Sequence, residues 1–370
     1  MKHLLVVLML AVASSISLRA QIYEDSTMIQ VYSMLPDTIK GRNLVVRHLN
    51  WARGVMDGIM DKFESDDLPN DSNYMVRPAE KLRISATVGV SGSAMVLKGG
   101  EDNDDGRTYI SLPLYSQAKL SVGLSVHYRL VTAAFSFSPF RINGVKNPDR
   151  NFGLSIYNDK WGFDFVYNYS KSLRGSVTIS NDNPESKTVL EYEWPVGRIR
   201  QRIISMHTYY AFNWKRFAMP AVFDQSWIQR RSAGSPLAGL SVQHVNMFNV
   251  LQDNETPEND DMRIRLWYVA LGGGYGYNLA MPHHWLLHGS VMAEIVPYTW
   301  SRVKEGSDIR RFHYSWPPML LTGRMGAVKY FNRYFVSIQS KGNYVCIGSK
   351  KNEQMHTVNW EAILSFGVRL

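Results

Sequence analysis

The sequence of 370 residues has one cysteine, Cys346, and no apolar run of about 18 residues beyond its N-terminus. A single thiol cannot form an internal disulfide, and without a cysteine and histidine cluster it cannot anchor a zinc site. The missing apolar run argues against a protein that crosses a membrane with helices. Hydrophobic residues make up 45% of the chain and charged residues 20%, so the chain is not disordered. Soluble globular proteins and β-barrels remain.

The N-terminus has the pattern of an export signal. A short basic start precedes the apolar run Leu4–Val12, and Ala20 offers a small residue at a cleavage site. We therefore predict that residues 1–20 are a signal peptide and that cleavage exposes Gln21. Since residue 21 is not cysteine, no lipid anchor is expected. Loss of Lys2 and Arg19 reduces the formal net charge from +9 to +7. The basic residues are scattered and the chain is exported, so we expect no nucleic-acid partner.

From residue 82 to the end, apolar side chains alternate with small or polar ones, which is the pattern of a strand with two different faces. The last segment is the clearest. Its even positions are Trp360, Ala362, Leu364, Phe366, Val368 and Leu370. The odd positions include Glu361, Ser365, Gly367 and Arg369. The segments 120–128 and 161–170 divide in the same way, so one face of each strand is apolar along its whole length.

The joints between these segments favour a membrane barrel over a sandwich. Short polar turns, such as residues 158–160 and 332–333, alternate with long polar loops, such as residues 139–150 and 250–261. Outer-membrane barrels have this asymmetry, and aromatic residues gather at the predicted strand ends as they do in such barrels. The sequence therefore predicts an all-β fold, a transmembrane antiparallel β-barrel over residues 82–370. Residues 21–81 lack the alternation and are expected to form a short periplasmic segment, partly helical, or a partial plug.

The predicted number of strands is about 12 to 14, because a single-chain barrel with both ends in the periplasm has an even number. Fourteen strands would begin at Leu82, Ala118, Val131, Asn151, Trp161, Lys187, Ile199, Arg216, Pro236, Arg263, Trp285, Pro318, Tyr334 and Met355. The stretch 172–234 is the weakest part of this count. Lys187–Trp194 is short, and Phe217–Arg230 fits either phase of alternation.

Two stretches resemble a known family. They are Phe217-Ala218-Met219-Pro220-Ala221 with Gln229-Arg230-Arg231-Ser232-Ala233-Gly234-Ser235, and Leu321-Thr322-Gly323-Arg324 with Tyr330-Phe331-Asn332-Arg333-Tyr334-Phe335. Together they resemble the family called domain of unknown function 4421. The resemblance implies an outer-membrane-type barrel of Bacteroidetes without an assigned activity, and it extends over most of the chain from about Leu82. It brings no catalytic residues with it.

The predicted facing of the strands places a polar network in the lumen. The nine members that we take as candidate site residues are Arg83, His127, Asp164, His207, His288, Glu294, Arg324, Glu361 and Arg369. Such a lumen can be a water-filled pore, or it can be closed by ion pairs. Buried charges usually pair, which favours the closed network. A cross-barrel cluster of Arg324, Glu361 and Arg369 is one such possibility.

A second candidate is the polar run Gln229, Arg230, Arg231 and Ser232, which could contact an anion or a lipid headgroup through its arginines. A solvated turn is the alternative. The facing prediction places Arg198, Arg200 and Arg202 at the same barrel end, which makes an anionic-lipid rim equally plausible. No motif indicates a metal site or a cofactor, and no Gly-x-Ser-x-Gly motif indicates a serine nucleophile.

The functional prediction is an outer-membrane envelope protein that acts as a small pore, a transport accessory or a structural element. The expected partners are outer-membrane lipid, lipopolysaccharide and, during insertion, the barrel-assembly machinery. One alternative is a barrel-embedded lipid-modifying hydrolase with serine, histidine and asparagine or aspartate on neighbouring strands. Another is a secreted soluble β-sandwich that binds a ligand.

Overall fold

The computed structural model describes residues 70–103, 106–116, 118–139, 141–142, 145–146, 149–181, 189–194, 196–249, 263–305, 308–310, 318–348 and 353–370. The predicted signal peptide and residues 21–69 of the predicted periplasmic segment therefore lie outside the described residues. Within the described part of the chain, no helix is long and apolar enough to cross a membrane.

The described residues form twenty strands and one short helix. The strands are β1 (Met75–Val76), β2 (Leu82–Asn103), β3 (Gly106–Ser116), β4 (Lys119–Tyr128), β5 (Val131–Phe137), β6 (Arg141–Ile142), β7 (Val145–Lys146), β8 (Arg150–Tyr157), β9 (Trp161–Ser170), β10 (Leu173–Asn181), β11 (Val189–Trp194), β12 (Ile199–Ala211), β13 (Ile228–Gln229), β14 (Ala233–Asn249), β15 (Arg263–Met281), β16 (Trp285–Glu305), β17 (Asp308–Arg310), β18 (Met319–Phe331), β19 (Tyr334–Gly348) and β20 (Glu353–Arg369). The helix is α1 (Pro220–Phe223).

Twelve of these strands form a closed antiparallel barrel. Their order around the wall is β2, β20, β19, β18, β16, β15, β14, β12, β9, β8, β5 and β4, and the pairing of β4 with β2 closes the circle. The all-β fold and the antiparallel barrel predicted from the alternation are confirmed. A closed barrel with an apolar outer face also excludes the soluble β-sandwich alternative.

Two of the fourteen predicted strands are wrong, and the other twelve correspond to the barrel strands. The strand predicted from Lys187 is β11, which pairs with β10 outside the barrel wall. The strand predicted from Arg216 is not a strand: residues 212–232 fold into the barrel interior around α1. Phe217–Val222 places six apolar residues in succession, so it lacks the alternation of a wall strand, and Pro220 lacks the backbone N–H that a strand residue donates.

The two ends of the barrel differ. At the turn end, residues 129–130, 158–160, 282–284 and 332–333 join neighbouring strands, and the first and last barrel strands meet where Arg83 pairs with Arg369. At the loop end, β2 continues beyond its pairing with β4 and forms a hairpin with β3. The hairpin of β10 and β11 adds to β3, so an extra patch of sheet stands at the loop end.

The outer and inner faces have opposite character. Leu124, Met325 and Leu364 point outwards and are half-exposed or more, as are many apolar residues on the same face. Aromatic side chains border this apolar belt at both ends, with Trp267 and Trp360 towards the loop end and Tyr275 and Phe366 towards the turn end. This distribution matches a barrel whose outer wall contacts lipid.

The interior has three layers. Towards the loop end, a buried apolar cluster includes Met95, Leu173, Ile264, Leu320 and Ile347. The middle layer is polar and surrounds two chambers. At the turn end, the segment of residues 212–232, called the plug below, fills the lumen, and Phe217, Ala218, Ala221 and Val222 within it have no exposed surface.

Candidate functional site

The plug is held by hydrogen bonds from side chains of the barrel wall to its backbone carbonyl groups. Tyr330 Oη donates to Ala221 O at 2.7 Å, and Gln339 Nε2 donates to Val222 O at 3.0 Å and to Phe223 O at 2.9 Å. Arg83 Nη1 donates to Gln225 O at 2.9 Å. These donors lie on β18, β19 and β2, which are three of four consecutive strands, so they tie the plug to one side of the wall.

The wall also leaves space for the plug. Gly326 faces the interior of β18, and a Cβ atom there would lie 2.6 Å from Val222 Cγ1. The plug is further connected to the chain before the barrel, because β1 pairs with β13 and Met75 is buried against Ala218 and Trp227. The two stretches that carry the family resemblance therefore meet in space: the first forms the plug, and the second forms the β18–β19 hairpin that holds it.

One carboxyl group of the plug is buried. Asp224 is 5% exposed, lies 3.4 Å from His127 Nδ1, and accepts two hydrogen bonds from Ser226 through its other oxygen. Burial raises the pKa of Asp224 to about 6, although the nearby Arg83 guanidinium acts in the opposite direction. The plug therefore carries an acid that titrates close to neutral pH.

An ion pair crosses the lumen above the plug. Arg324 Nη1 on β18 lies 3.0 Å from Asp164 Oδ2 on β9, and both side chains are almost fully buried. The other oxygen of Asp164 accepts hydrogen bonds from Ser155 Oγ at 2.7 Å and Tyr157 Oη at 2.5 Å. The carboxylate is thereby fixed in position as well as paired, as a buried charge requires.

Two chambers adjoin at this ion pair. The loop-side chamber has a volume of about 160 Å³ and the turn-side chamber about 210 Å³. Asp164, Arg324, Lys341 and Glu361 line both chambers. Asparagine, glutamine and serine side chains supply much of the remaining polar lining. The plug residues Phe223, Asp224 and Gln225 line the turn-side chamber.

Two histidines form separate polar groups. His207 Nδ1 lies 2.8 Å from Ser241 Oγ and 3.8 Å from Glu294 Oε1. His288 Nδ1 lies 2.7 Å from Asn278 Oδ1, and its Nε2 lies 3.0 Å from Ser290 Oγ. Among the described residues, no group of three histidine, cysteine, aspartate or glutamate side chains has the arrangement of a metal site.

The structure distributes the nine sequence-derived lumen residues over several contacts. Arg83 and His127 contact the plug, Asp164 pairs with Arg324, His207 lies near Glu294, and His288 belongs to the group with Asn278. Arg369 lies over the Tyr330 ring at 4.4 Å, so it supports a side chain that holds the plug. Arg324 pairs with Asp164 across the lumen, and not with Glu361 and Arg369 in the cluster that the sequence left as a possibility.

The four residues of the predicted anion site, 229–232, do not form one site in the structure. The Gln229 side chain forms hydrogen bonds within the plug. Its Oε1 accepts from Ala218 N at 3.0 Å, and its Nε2 donates to Arg216 O at 2.6 Å. Ser232 Oγ accepts from Ala280 N at 3.0 Å, while Arg230 and Arg231 are exposed. The expected proximity to Arg200 and Arg202 is also wrong, because β12 begins at the loop end and leads to the plug only at its other end.

Sequence reasoning missed the contributions of Tyr157, Tyr330, Asn278 and Ser290. Each occupies an inward position of a wall strand that the alternation identifies, so the phase alone could have marked them. Tyr330 stands at a predicted strand end, where an aromatic residue indicates a rim and not the lumen. The pairing of Asn278 with His288 depends on the register between β15 and β16, which no local pattern gives.

Comparison with known proteins assigns the chain to a family. The model of the family described as domain of unknown function (DUF4421) matches residues 69–369. The chain belongs to this family. No curated protein sequence matches the DUF4421 chain.

Solved barrels are similar to it only distantly. The outer membrane protease OmpT from Escherichia coli has 7% identity and a TM-score of 0.45, over 80% of this chain and 98% of OmpT. The translocator domain of the autotransporter NalP from Neisseria meningitidis has 12% identity and a TM-score of 0.31, over 87% of this chain and 98% of that domain. OprG from Pseudomonas aeruginosa has 12% identity and a TM-score of 0.27, over 79% of this chain and 97% of OprG. At these scores no residue role is carried over.

Proposed function

We propose that this protein is an outer-membrane barrel that is closed at rest and acts as a non-conducting structural element of the envelope. The observation that carries the proposal is the plug, whose carbonyl groups are bound by Arg83, Tyr330 and Gln339 of the wall. Each such hydrogen bond contributes about 0.5–1.5 kcal/mol to docking. The burial of Phe217, Ala221 and Val222 adds an apolar contribution.

The outer-membrane location is part of the same proposal. The apolar belt with aromatic borders supports insertion into a bilayer, and the short turns and longer loops support an orientation with the turn end in the periplasm. In that orientation the plug and β1 lie on the periplasmic side. The partners are outer-membrane lipid, lipopolysaccharide at the loop end, and the barrel-assembly machinery during insertion.

The two chambers do not change the proposed resting state. The plug residue Phe223 lines the turn-side chamber, and Leu320 of the apolar cluster lines the loop-side chamber. Ions entering from the loop end would meet the Asp164–Arg324 pair and then the plug. A conducting path through the turn end therefore requires displacement of the plug.

Conductance in planar lipid bilayers tests the proposal. The detergent-refolded protein is expected to insert without steady conductance. A variant in which residues 214–231 are replaced by a short Gly/Ser turn is expected to conduct. The matched control is Arg230→Ala with Arg231→Ala, which removes two exposed charges of the same segment and should remain silent. Steady conductance of the unmodified protein would overturn the proposal, as would a folded plug-replacement variant that remains silent.

A further inference from the structure

A serine, a histidine and an asparagine form a continuous hydrogen-bonded chain where the wall contacts the plug. His288 and Ser290 lie two residues apart on β16, so both face the interior, and Asn278 is directly opposite His288 on β15. All three side chains are at least nine-tenths buried. The distances are 2.7 Å from Asn278 Oδ1 to His288 Nδ1 and 3.0 Å from His288 Nε2 to Ser290 Oγ.

The surrounding contacts fix the direction of these hydrogen bonds. Asn278 Nδ2 donates to Ala218 O at 2.7 Å and to Gln229 Oε1 at 3.1 Å, so the amide oxygen is the atom that faces His288. This oxygen accepts only, which places the proton of a neutral imidazole on Nδ1. The unprotonated Nε2 then accepts the Ser290 hydroxyl proton. This is the arrangement in which a histidine activates a serine nucleophile.

A cation lies beside the serine. Arg324 is directly opposite Ser290 on the adjacent strand β18. One Nη atom of Arg324 pairs with Asp164, but Nε and the other Nη have no hydrogen-bond partner. A positive charge with unused donors can stabilise the oxyanion that forms when a serine attacks a carbonyl group.

The plug covers this group with one aromatic ring. Phe223 contacts His288 edge-on at a ring-centroid distance of 5.1 Å, and the Arg324 guanidinium lies 5.9 Å from the same ring. Phe223 also lines the turn-side chamber. The ring therefore separates Ser290 and His288 from a chamber of about 210 Å³.

We propose that Ser290 is an acyl-accepting nucleophile, with His288 as its general base, for short-chain carboxylic esters of small polar alcohols that enter the turn-side chamber when the plug moves. The polar chamber lining suits the alcohol part, and the surroundings of Phe217 and Phe223 suit a short acyl chain. This inference goes beyond the proposed structural role and adds an activity to it.

The reaction balances with water as the only co-reactant. Ser290 Oγ bonds to the ester carbonyl carbon as His288 Nε2 takes the hydroxyl proton, and the carbonyl electron pair moves to the oxygen beside Arg324. Collapse of this intermediate breaks the bond to the alcohol, which leaves with the proton from His288. A water molecule, deprotonated by His288, then attacks the Ser290 ester. The carboxylic acid leaves, and the proton returns to Ser290 Oγ.

Labelling with a fluorescent alkyl fluorophosphonate tests the nucleophile directly, because the Ser290 oxygen would bond to phosphorus as fluoride leaves. The detergent-folded full chain is expected to label slowly. Phe223→Ala should label faster, since it opens the group to the chamber. In the Phe223→Ala background, Ser290→Ala or His288→Ala should reduce labelling by roughly 100-fold or more. The control is Ser241→Ala, which removes a comparably buried serine beside His207 that lines only the loop-side chamber, and it should leave labelling unchanged.

Asn278 is a positioning residue, and rescue distinguishes its role from a structural one. Asn278→Ala loosens the plug but removes the acceptor for His288 Nδ1, so labelling should fall although access improves. Asn278→Asp restores the acceptor and should restore labelling. The proposal is overturned if folded Phe223→Ala is not labelled, if label persists in Ser290→Ala, or if Ser241→Ala loses it equally. Bilayer conductance of these variants reports separately on whether the plug closes the barrel.

Discussion

At the scale of single residues, the Asp164–Arg324 pair organises the centre of the lumen. Both side chains are about 5% exposed or less, and the carboxylate has two further donors in Ser155 and Tyr157. A buried charge without its partner lowers the stability of the folded protein strongly, whereas a neutral pair of similar shape is tolerated at the same position. The pair therefore affects stability mainly through the penalty for removing one partner.

We expect Arg324→Met to lower the free energy of unfolding by about 3–5 kcal/mol, because it leaves the Asp164 carboxylate buried without its cation. The double variant Arg324→Met with Asp164→Asn should recover most of this loss, since the amide is neutral and still accepts from Tyr157. Urea titration of the detergent-folded barrel, followed by tryptophan fluorescence, measures both values. A single variant as stable as the unmodified protein would show that the pair is not needed.

At the scale of elements, the plug shows where sequence patterns stop being informative. The wall strands follow from alternation, because each has one face towards lipid and one towards the lumen. Phe217–Val222 has apolar residues in succession, and this composition fits a buried strand, a buried turn or a plug. The pattern cannot distinguish these, since the deciding contacts come from Gly326, Tyr330 and Gln339, more than a hundred residues later.

The buried Asp224 makes docking of the plug depend on pH. An unfolded aspartate has a pKa of about 3.9, and burial raises the pKa of Asp224 in the docked plug to about 6. The neutral form of Asp224 stabilises the docked plug fully below the pKa of the unfolded aspartate. This stabilisation is lost as the pH rises through the pKa of Asp224 in the docked plug. The plug should therefore undock more often at pH 7.5 than at pH 5, by about tenfold or more.

The frequency of brief conductance events in planar bilayers at the two pH values measures this effect. Asp224→Asn is the matched variant, because its amide cannot ionise and should remove most of the pH dependence. The groups facing Asp224 are Arg83 on β2, His127 on β4 and Asp164 on β9. A dependence that remains unchanged in Asp224→Asn would assign the effect to His127 or another group.

At the scale of the whole molecule, the twelve-stranded wall was predictable and the contents of the lumen were only partly so. The sequence identifies which side chains face inwards because that depends on local alternation. It does not give the register between distant strands, and therefore not that Arg324 reaches Asp164 or that His288 meets Asn278. It also misplaced residues 229–232, since their position depends on the plug turning back into the barrel.

The central claim is that residues 212–232 are docked inside the barrel. Amide hydrogen exchange of the detergent-folded protein, read by mass spectrometry, tests it most directly. The amides of Ala218, Ala221, Asp224 and Ser226 donate to acceptors within the plug. Peptides covering residues 217–227 should therefore exchange roughly 1,000-fold or more slowly than an unstructured chain. Exchange of these peptides at the rate of an unstructured chain, while the wall strands remain protected, would contradict the account.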